Sequence, residues 1–148
     1  MKIRTLVIAG AAIVAAGALS TAGQEPEGVF LHVRDGARVR VHDEATVYFV
    51  DRGVLRHLTY RAYRSLFPND WRGITELVDV PRHLVGQPLN EKTRLVNVGN
   101  KVWLIDNGET KRHVSSVDAF DACGFSWHRV KSVTDKDIAD LPEGPPLR

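Results

Sequence analysis

The sequence predicts a small α+β protein made of two stacked repeats of about 55 residues, each a β-hairpin followed by a short helix and a helical turn. Three observations predict this fold. Two long segments match each other in order, β-turn signals recur at matching positions, and a residue type that caps helices follows each hairpin.

The internal duplication is the strongest signal in the chain. The two matching segments run from Val47 to Leu89 and from Val102 to Leu147. Ordered matches with single-residue slips are hard to obtain by chance, so we assign repeat 1 to residues 37–92 and repeat 2 to residues 93–148. The matched pairs are Tyr48 with Trp103, Asp51 with Asp106, Gly53 with Gly108, Arg56-His57 with Arg112-His113, Trp71 with Trp127, and Asp79 with Asp135.

Each hairpin is predicted from two short apolar runs on either side of a turn. In repeat 2 the turn is Asn107-Gly108, a dipeptide that favours the type I′ turn, and in repeat 1 it is Arg52-Gly53. The predicted strands are Val47–Asp51, Val54–Leu58, Val102–Asp106 and Thr110–Val114, and further strands are expected within 37–42 and 93–98.

Helices are predicted from their capping residues. Ser115 or Ser116 caps a helix over Val117–Cys123, and Gly124 suits its left-handed end. In repeat 1 a helix begins at Thr59, and its pattern ends at Pro68. A short connector is predicted at each of Trp71 and Trp127, and we expect both tryptophans in the core. A helical turn is predicted from Thr134 through Ala139.

The first 22 residues have the composition of a secretory signal peptide. Lys2 and Arg4 precede an apolar run over residues 6–19, and Ser20-Thr21-Ala22 then offers a small-residue cleavage site. These two cations account for the whole formal net charge of +2, so the remainder of the chain is neutral. Without a concentrated basic patch, nucleic-acid binding is not expected.

A retained membrane helix over residues 5–24 is the alternative for this leader. Twenty residues at ~1.5 Å each just cross a ~30 Å hydrocarbon core. Its alanines and glycines would suit packing against another membrane helix. In either form the globular part is expected on the exported side, periplasmic or extracellular, after a linker at 23–36 that carries a candidate strand at Val29–Val33. The strongly apolar positions of this helix would be Leu6, Val7, Ile8, Ile13, Val14 and Leu19.

Catalytic chemistry is not indicated by any motif, so we expect no enzyme, no metal and no cofactor. His57 and His113 occupy equivalent positions, which favours a structural role in the repeat over a metal site. The single Cys123 excludes an intramolecular disulfide, and its counterpart in repeat 1 is a large hydrophobic residue, Leu66 or Phe67. We therefore expect Cys123 in the core rather than in a Cys–His nucleophile.

Repeat 2 carries a pattern of spaced residues that extends beyond secondary structure. The pattern resembles a tandem module of exported bacterial cell-surface and cell-wall proteins, over roughly residues 37–147. Repeat 1 departs from it around residues 67–70 and at its shortened end. The resemblance implies an exported, non-catalytic module and carries no catalytic residues. The matching positions in repeat 2 are Trp103, Gly108, Arg112, Val114, Ser115, Gly124-Phe125-Ser126-Trp127, Val130, Gly144, Pro146 and Leu147.

A candidate contact surface is predicted on the first helix, where tyrosines alternate with arginines. Tyrosine and arginine are favoured anchors of protein interfaces. Tyr48 and Trp103 are added because their strands are apolar on both faces, so that one face is free to meet the other repeat or a partner. The candidate residues are Arg56, Tyr60, Arg61, Tyr63, Arg64, Tyr48 and Trp103.

These features together predict a non-catalytic exported subunit that binds another protein. If the leader is retained, the protein would be an accessory subunit of a membrane complex. The alternative is a module that binds cell-wall glycan through exposed Trp and Tyr side chains.

The intact mass of the native protein will distinguish the two forms of the leader. A cleaved signal peptide predicts loss of residues 1–22, because the small residues ending at Ala22 are those a signal peptidase recognises. Purification from the membrane fraction with the full-length mass would instead establish the anchored form.

Overall fold

A computed structural model of the protein describes residues 33–148. The leader, the residues predicted for its membrane helix (Leu6 to Leu19) and the candidate strand up to residue 32 lie outside the described residues. Within them the fold is α+β, with two four-stranded sheets and three short α-helices. The elements are β1 Arg38–Val41, β2 Val47–Asp51, β3 Val54–His57, α1 Tyr60–Leu66, β4 Ile74–Leu77, β5 Arg94–Val98, β6 Lys101–Asp106, β7 Thr110–His113, α2 Val117–Ala122, β8 Lys131–Ser132 and α3 Asp135–Ile138.

The two sheets have the same strand order. The first is ordered β3-β2-β1-β4 and the second β7-β6-β5-β8. In each, the strand before the hairpin runs antiparallel to its neighbour in the hairpin and parallel to a later, short strand. The predicted hairpin strands are confirmed. The parallel strands β4 and β8 were not predicted, because each is short, largely exposed and carries no alternating apolar pattern.

Both hairpin turns place two residues in the left-handed region. Asn107 and Gly108 have φ of 56° and 73°, and Arg52 and Gly53 have φ of 52° and 77°. Positive φ at both central positions is the type I′ geometry that matches strand twist. The Asn107 side chain also accepts a hydrogen bond from the Asn90 N–H at 2.8 Å and donates one to the Pro88 carbonyl at 2.9 Å. This turn therefore fixes the chain that leads into β5.

By its contacts the chain divides into two compact units that differ from the two predicted repeats. The first unit contains residues 33–56 of the described chain and Ile74–Gly86. The second contains His57–Gly73 and Gln87–Arg148. Helix α1, which follows the first hairpin in sequence, thus belongs to the second unit, where it contacts β5.

Each unit has an apolar core of its own. In the first unit the core is Val39, Val50, Leu55 and Leu77. In the second, Val96, Ile105 and Ile138 form one buried cluster. Further buried apolar side chains of the second unit include Leu66, Phe67, Leu89, Leu104, Phe120 and Cys123, the last as predicted.

The helix caps follow the sequence prediction. The Thr59 side chain accepts a hydrogen bond from the Ala62 N–H at 3.2 Å, and the Ser116 side chain accepts one from the Ala119 N–H at 3.0 Å. Thr134 and Asp137 form a reciprocal capping box at the start of α3. Because the Asp137 carboxylate accepts hydrogen bonds from the backbone and the hydroxyl of Thr134, its pKa is lowered.

A buried Asp–Arg pair occurs in each of the two sheets. In the first sheet Arg56 Nη1 lies 3.1 Å from Asp51 Oδ2. In the second, Arg112 Nη1 lies 3.4 Å from Asp106 Oδ2, and Arg112 Nε donates to the Pro145 carbonyl at 2.7 Å. A charge removed from water needs such a partner. The placement of Arg56 on a contact surface was therefore wrong, because the residue is only 8% exposed and pairs with Asp51.

The closing Gly of each predicted repeat makes an equivalent contact with the second strand of its hairpin. The Gly86 N–H donates to the Leu55 carbonyl, and the Gly144 N–H donates to the Lys111 carbonyl, both at 2.9 Å. A Cβ on Gly86 would lie 2.5 Å from Val54 Cγ1, and one on Gly144 would lie 3.2 Å from Arg112 Cγ. The chain therefore passes close to the second hairpin strand at both glycines, and a side chain at position 86 would require Val54 to shift.

Among the described residues no helix is long and apolar enough to cross a membrane.

Removing Asp106 should strongly destabilise the protein. Asp106→Ala leaves the Arg112 side chain, 3% exposed, without its carboxylate, and breaking a buried pair costs about 3–5 kcal/mol. The matched control is Arg72→Gln, which breaks an exposed pair with Asp70 and should cost less than about 1 kcal/mol. Urea denaturation measures both. Replacing both partners, Asp106→Ala with Arg112→Met, should recover much of the loss. Equal effects of the buried and exposed variants would contradict this account.

Candidate binding surfaces

Helix α1 presents a face of exposed tyrosine and arginine side chains. Tyr60 is 63% exposed, and Arg61 and Arg64 are also exposed. Arg64 Nη1 donates to the Tyr60 hydroxyl at 3.0 Å, and its guanidinium carbon lies 5.7 Å from the centre of that ring. The helix contains no acidic residue. We call Tyr60, Arg61 and Arg64 the α1 face.

Tyr63 does not belong to this face, so its predicted exposure was wrong. It is only 3% exposed, and its hydroxyl donates to the Asp70 carbonyl at 2.7 Å. The seven-residue helix turns Tyr63, Ala62 and Leu66 inward, while Tyr60 and Arg64, one turn apart, remain outside. The alternation of Tyr and Arg in the sequence does not show which of these side chains are buried and which are exposed.

Tyr48 and Trp103 are half-buried against the cores of their own units. Tyr48 packs on the first apolar cluster and Trp103 on the cluster of Val96 and Ile138. The Trp103 ring also lies 5.2 Å from the His113 ring and 5.5 Å from Lys111 Nζ. Each of these two rings is therefore partly covered by residues of its own unit.

Trp71 and Trp127 were predicted in the core, and that prediction was wrong. Trp71 is 58% exposed and Trp127 is 49% exposed. One face of each indole is covered by a stacked ring: Tyr63 lies 4.5 Å from Trp71, and Phe120 lies 3.7 Å from Trp127. The repeated tryptophans therefore cover buried aromatic rings and present their remaining surface to solvent.

These rings belong to a continuous aromatic row in the second unit, formed by Trp71, Tyr63, Phe67, Phe125, Phe120 and Trp127. Successive ring centres are separated by 4.5, 5.0, 5.6, 5.5 and 3.7 Å. The four inner rings are buried, and the two terminal indoles are exposed. The aromatic row thus fixes two exposed tryptophans on rigid supports.

A groove of about 480 Å³ opens beside Trp127. It lies between the β5–β6 turn, the start of α2 and the segment that includes Trp127 and β8. The apolar residues that line it are Val102, Val114, Val117, Phe120, Trp127 and Val130. The Trp127 Nε1–H donates to Asp121 Oδ1 at 3.3 Å, which holds the plane of the indole.

The polar residues that line the groove carry mainly neutral groups. These are the amides of Asn97 and Asn100, the hydroxyls of Ser115, Ser116 and Ser132, and the imidazole of His113. Lys101 contributes one cation, and none of the described residues that line the groove is a carboxylate. The groove thus combines a flat aromatic surface with uncharged hydrogen-bonding groups, an arrangement typical of small polar ligand sites.

The residues considered for chemistry do not come together. Cys123 is buried, His57 is exposed, and His113 is half-buried beside Trp103. Within residues 33–148 no group of three or more His, Cys, Asp and Glu side chains is placed to hold a metal ion. The sequence prediction of structural roles for the repeated histidines remains a prediction.

One exposed charged cluster was not predicted from the sequence. In the first sheet, strand register places Arg40 directly opposite Glu76. Arg40 Nε donates to Glu76 Oε2 at 3.1 Å, and His42 Nδ1 lies 2.9 Å from Glu76 Oε1. The pKa of His42 is raised chiefly by this hydrogen bond to Glu76, and the pKa of Glu76 is lowered chiefly by the same bond.

Comparison of the chain with protein-family models, with curated proteins and with solved structures found no match.

The His42–Glu76 bond predicts a coupled titration. A raised His42 pKa stabilises the fold below the unfolded histidine pKa, and this contribution is lost as the pH rises through the folded value. A lowered Glu76 pKa stabilises the fold at pH values above the unfolded glutamate pKa, and this contribution to stability is lost as the pH falls through the folded pKa. NMR titration should show the His42 pKa falling towards its ordinary value in Glu76→Gln. An unchanged His42 pKa would contradict the contact.

Proposed function

We propose that this chain is a non-catalytic exported subunit, built from a tandem duplication, that binds another protein through the α1 face. The observation that carries the proposal is the exposed Tyr60–Arg64 pair on a helix whose opposite side is firmly anchored. Arginine and tyrosine are enriched among the residues that dominate interface energetics.

The duplication is supported by features that recur in both halves of the chain. Both sheets have the same strand order, and each hairpin has a buried Asp–Arg pair. Each second hairpin strand is joined to the end of its repeat by equivalent bridges, Leu58 with Leu89 and Val114 with Leu147. Recurring structural requirements explain the sequence matches without a repeated active site.

The anchoring of α1 favours binding because little conformational freedom remains to be lost. Thr59 caps the first turn, and Tyr63 is fixed by its hydrogen bond to Asp70 and by stacking on Trp71. The Tyr60 ring is held by Arg64 from the same helix. A surface ordered before association avoids part of the entropic cost of ordering its side chains.

The charge of the α1 face indicates the chemistry of its partner. Arg61 and Arg64 are exposed, and α1 contains no carboxylate to offset them. A partner surface with carboxylates around an apolar centre would pair with the guanidinium groups and cover the Tyr60 ring. Such an interface needs no net positive charge on the whole protein.

The leader supports an exported location for this contact. Cleavage near Ala22 would give a free periplasmic or extracellular protein, and retention of residues 5–24 would make it an accessory subunit of a membrane complex. The resemblance of repeat 2 to modules of exported proteins agrees with both forms.

Charge reversal on the α1 face tests the proposal. In the native host, Arg61→Glu with Arg64→Glu should abolish co-purification of the principal partner, because carboxylates would then face carboxylates. The matched control is Lys131→Glu with Lys136→Glu, which reverses the same charge on exposed residues of other elements in the same unit. Partners are identified by mass spectrometry, and circular dichroism confirms that both variants are folded.

Two results would overturn this proposal. One is an unchanged set of co-purifying proteins in the folded Arg61→Glu, Arg64→Glu variant. The other is equal loss of the partner in the control variant, which would indicate a general effect of charge.

A further inference from the structure

We infer that the groove beside Trp127 binds a glycan chain rich in N-acetylated sugars. This inference goes beyond the proposed protein contact and concerns different residues. A sugar ring combines a flat apolar face of C–H groups with an equatorial rim of hydroxyl and acetamido groups. The groove offers a counterpart to each of these features.

The counterpart of the apolar face is the Trp127 indole. Phe120 stacks on one side of it at 3.7 Å and with 23° between the ring planes. The exposed surface of Trp127 is therefore the indole face that Phe120 does not cover, together with the ring edges. The hydrogen bond to Asp121 orients this surface. An aromatic ring held in one plane and half-open to solvent can stack on a sugar without first being ordered.

The counterpart of the polar rim is the set of neutral polar side chains that line the same groove. Amides and hydroxyls each donate and accept hydrogen bonds, as a sugar hydroxyl or an acetamido group requires. In the part of the chain that the structure describes, the side chains of Asn97, Asn100, Ser115 and Ser132 make no hydrogen bond to the protein. They are available to a ligand, and their backbone positions are fixed by β5, the β5–β6 turn, the β7–α2 connection and β8.

The size and charge of the groove favour a small, uncharged polymer segment. Its volume of about 480 Å³ is within the range of small-ligand sites. A nucleic acid would require several cations to contact its phosphates, and Lys101 is the one lysine or arginine among the described lining residues.

An extended peptide is disfavoured by the backbone around the groove. Peptides that add to a sheet need unpaired N–H and C=O groups along a strand edge. Here the His113 carbonyl accepts from the Leu147 N–H at 2.9 Å, and the Ser115 N–H donates to the Leu147 carbonyl at 3.1 Å. The segment around Leu147 thus already occupies the β7 edge beside the groove, so a peptide cannot add to the sheet at that edge.

The test is a titration of the purified protein with the β-1,4-linked tetramer of N-acetylglucosamine, followed by ¹⁵N NMR. We expect the Trp127 indole N–H and the Asn100 side-chain amide to shift, with a dissociation constant of about 1 mM. Trp127→Ala and Asn100→Ala should each weaken binding, the former by about tenfold because the stacking surface is lost. Asn100 lies in an exposed turn, so its replacement leaves the core intact.

Trp71→Ala is the matched control, because Trp71 is equally exposed and stacked but does not line the groove. The inference is overturned if the tetramer causes no shift, if Trp127→Ala binds as well as the unaltered protein, or if Trp71→Ala loses binding to the same extent. The β-1,4-linked glucose tetramer tests whether the acetamido groups contribute to binding. It lacks these groups and should bind more weakly. Purified glycan strands of peptidoglycan are titrated in parallel. Comparison of the two dissociation constants shows whether the groove prefers cell-wall glycan or chitin-like chains.

Discussion

The aromatic row is the interaction on which the second unit depends. Six rings in sequence connect helix α1, the segment after it, helix α2 and the Trp127 segment, at centre separations between 3.7 and 5.6 Å. Backbone bonds reinforce it, since the Ser126 N–H donates to the Leu66 carbonyl at 2.8 Å. Because a short helix is marginal alone, α1 is held chiefly by this packing. The two compact units therefore do not follow the two predicted repeats, because α1 packs against rings contributed by residues beyond 116.

Both candidate surfaces, the α1 face and the groove beside Trp127, are supported by side chains of the aromatic row. Tyr63 is an inner ring, and burying it leaves Tyr60 and Arg64 of the same helix in solvent. At the other end, Phe120 supports Trp127 at the mouth of the groove. Rigid support of exposed aromatic side chains reduces the entropy lost on binding, which is why we assign function to these surfaces and not to the repeated histidines.

The sequence pattern showed much of the architecture but little of the sites. Hairpins, caps and turn residues were predictable because each depends on neighbours a few residues away, as with Asn107-Gly108 and Thr59. The strands β4 and β8 were missed because parallel pairing with a distant strand leaves almost no local pattern. Arg56 was assigned to the surface because sequence gives a charge and not its burial; only the fold places Asp51 beside it.

By itself the sequence determined the duplication signal, the leader and the local elements, since these rest on spacing, composition and backbone preference. The tertiary structure decided which side of each element is buried. It exposed Trp71 and Trp127, buried Tyr63, and opened a groove among residues from three separate segments of the chain. The physical reason is that exposure depends on the elements packed against a side chain, and those elements are distant in sequence.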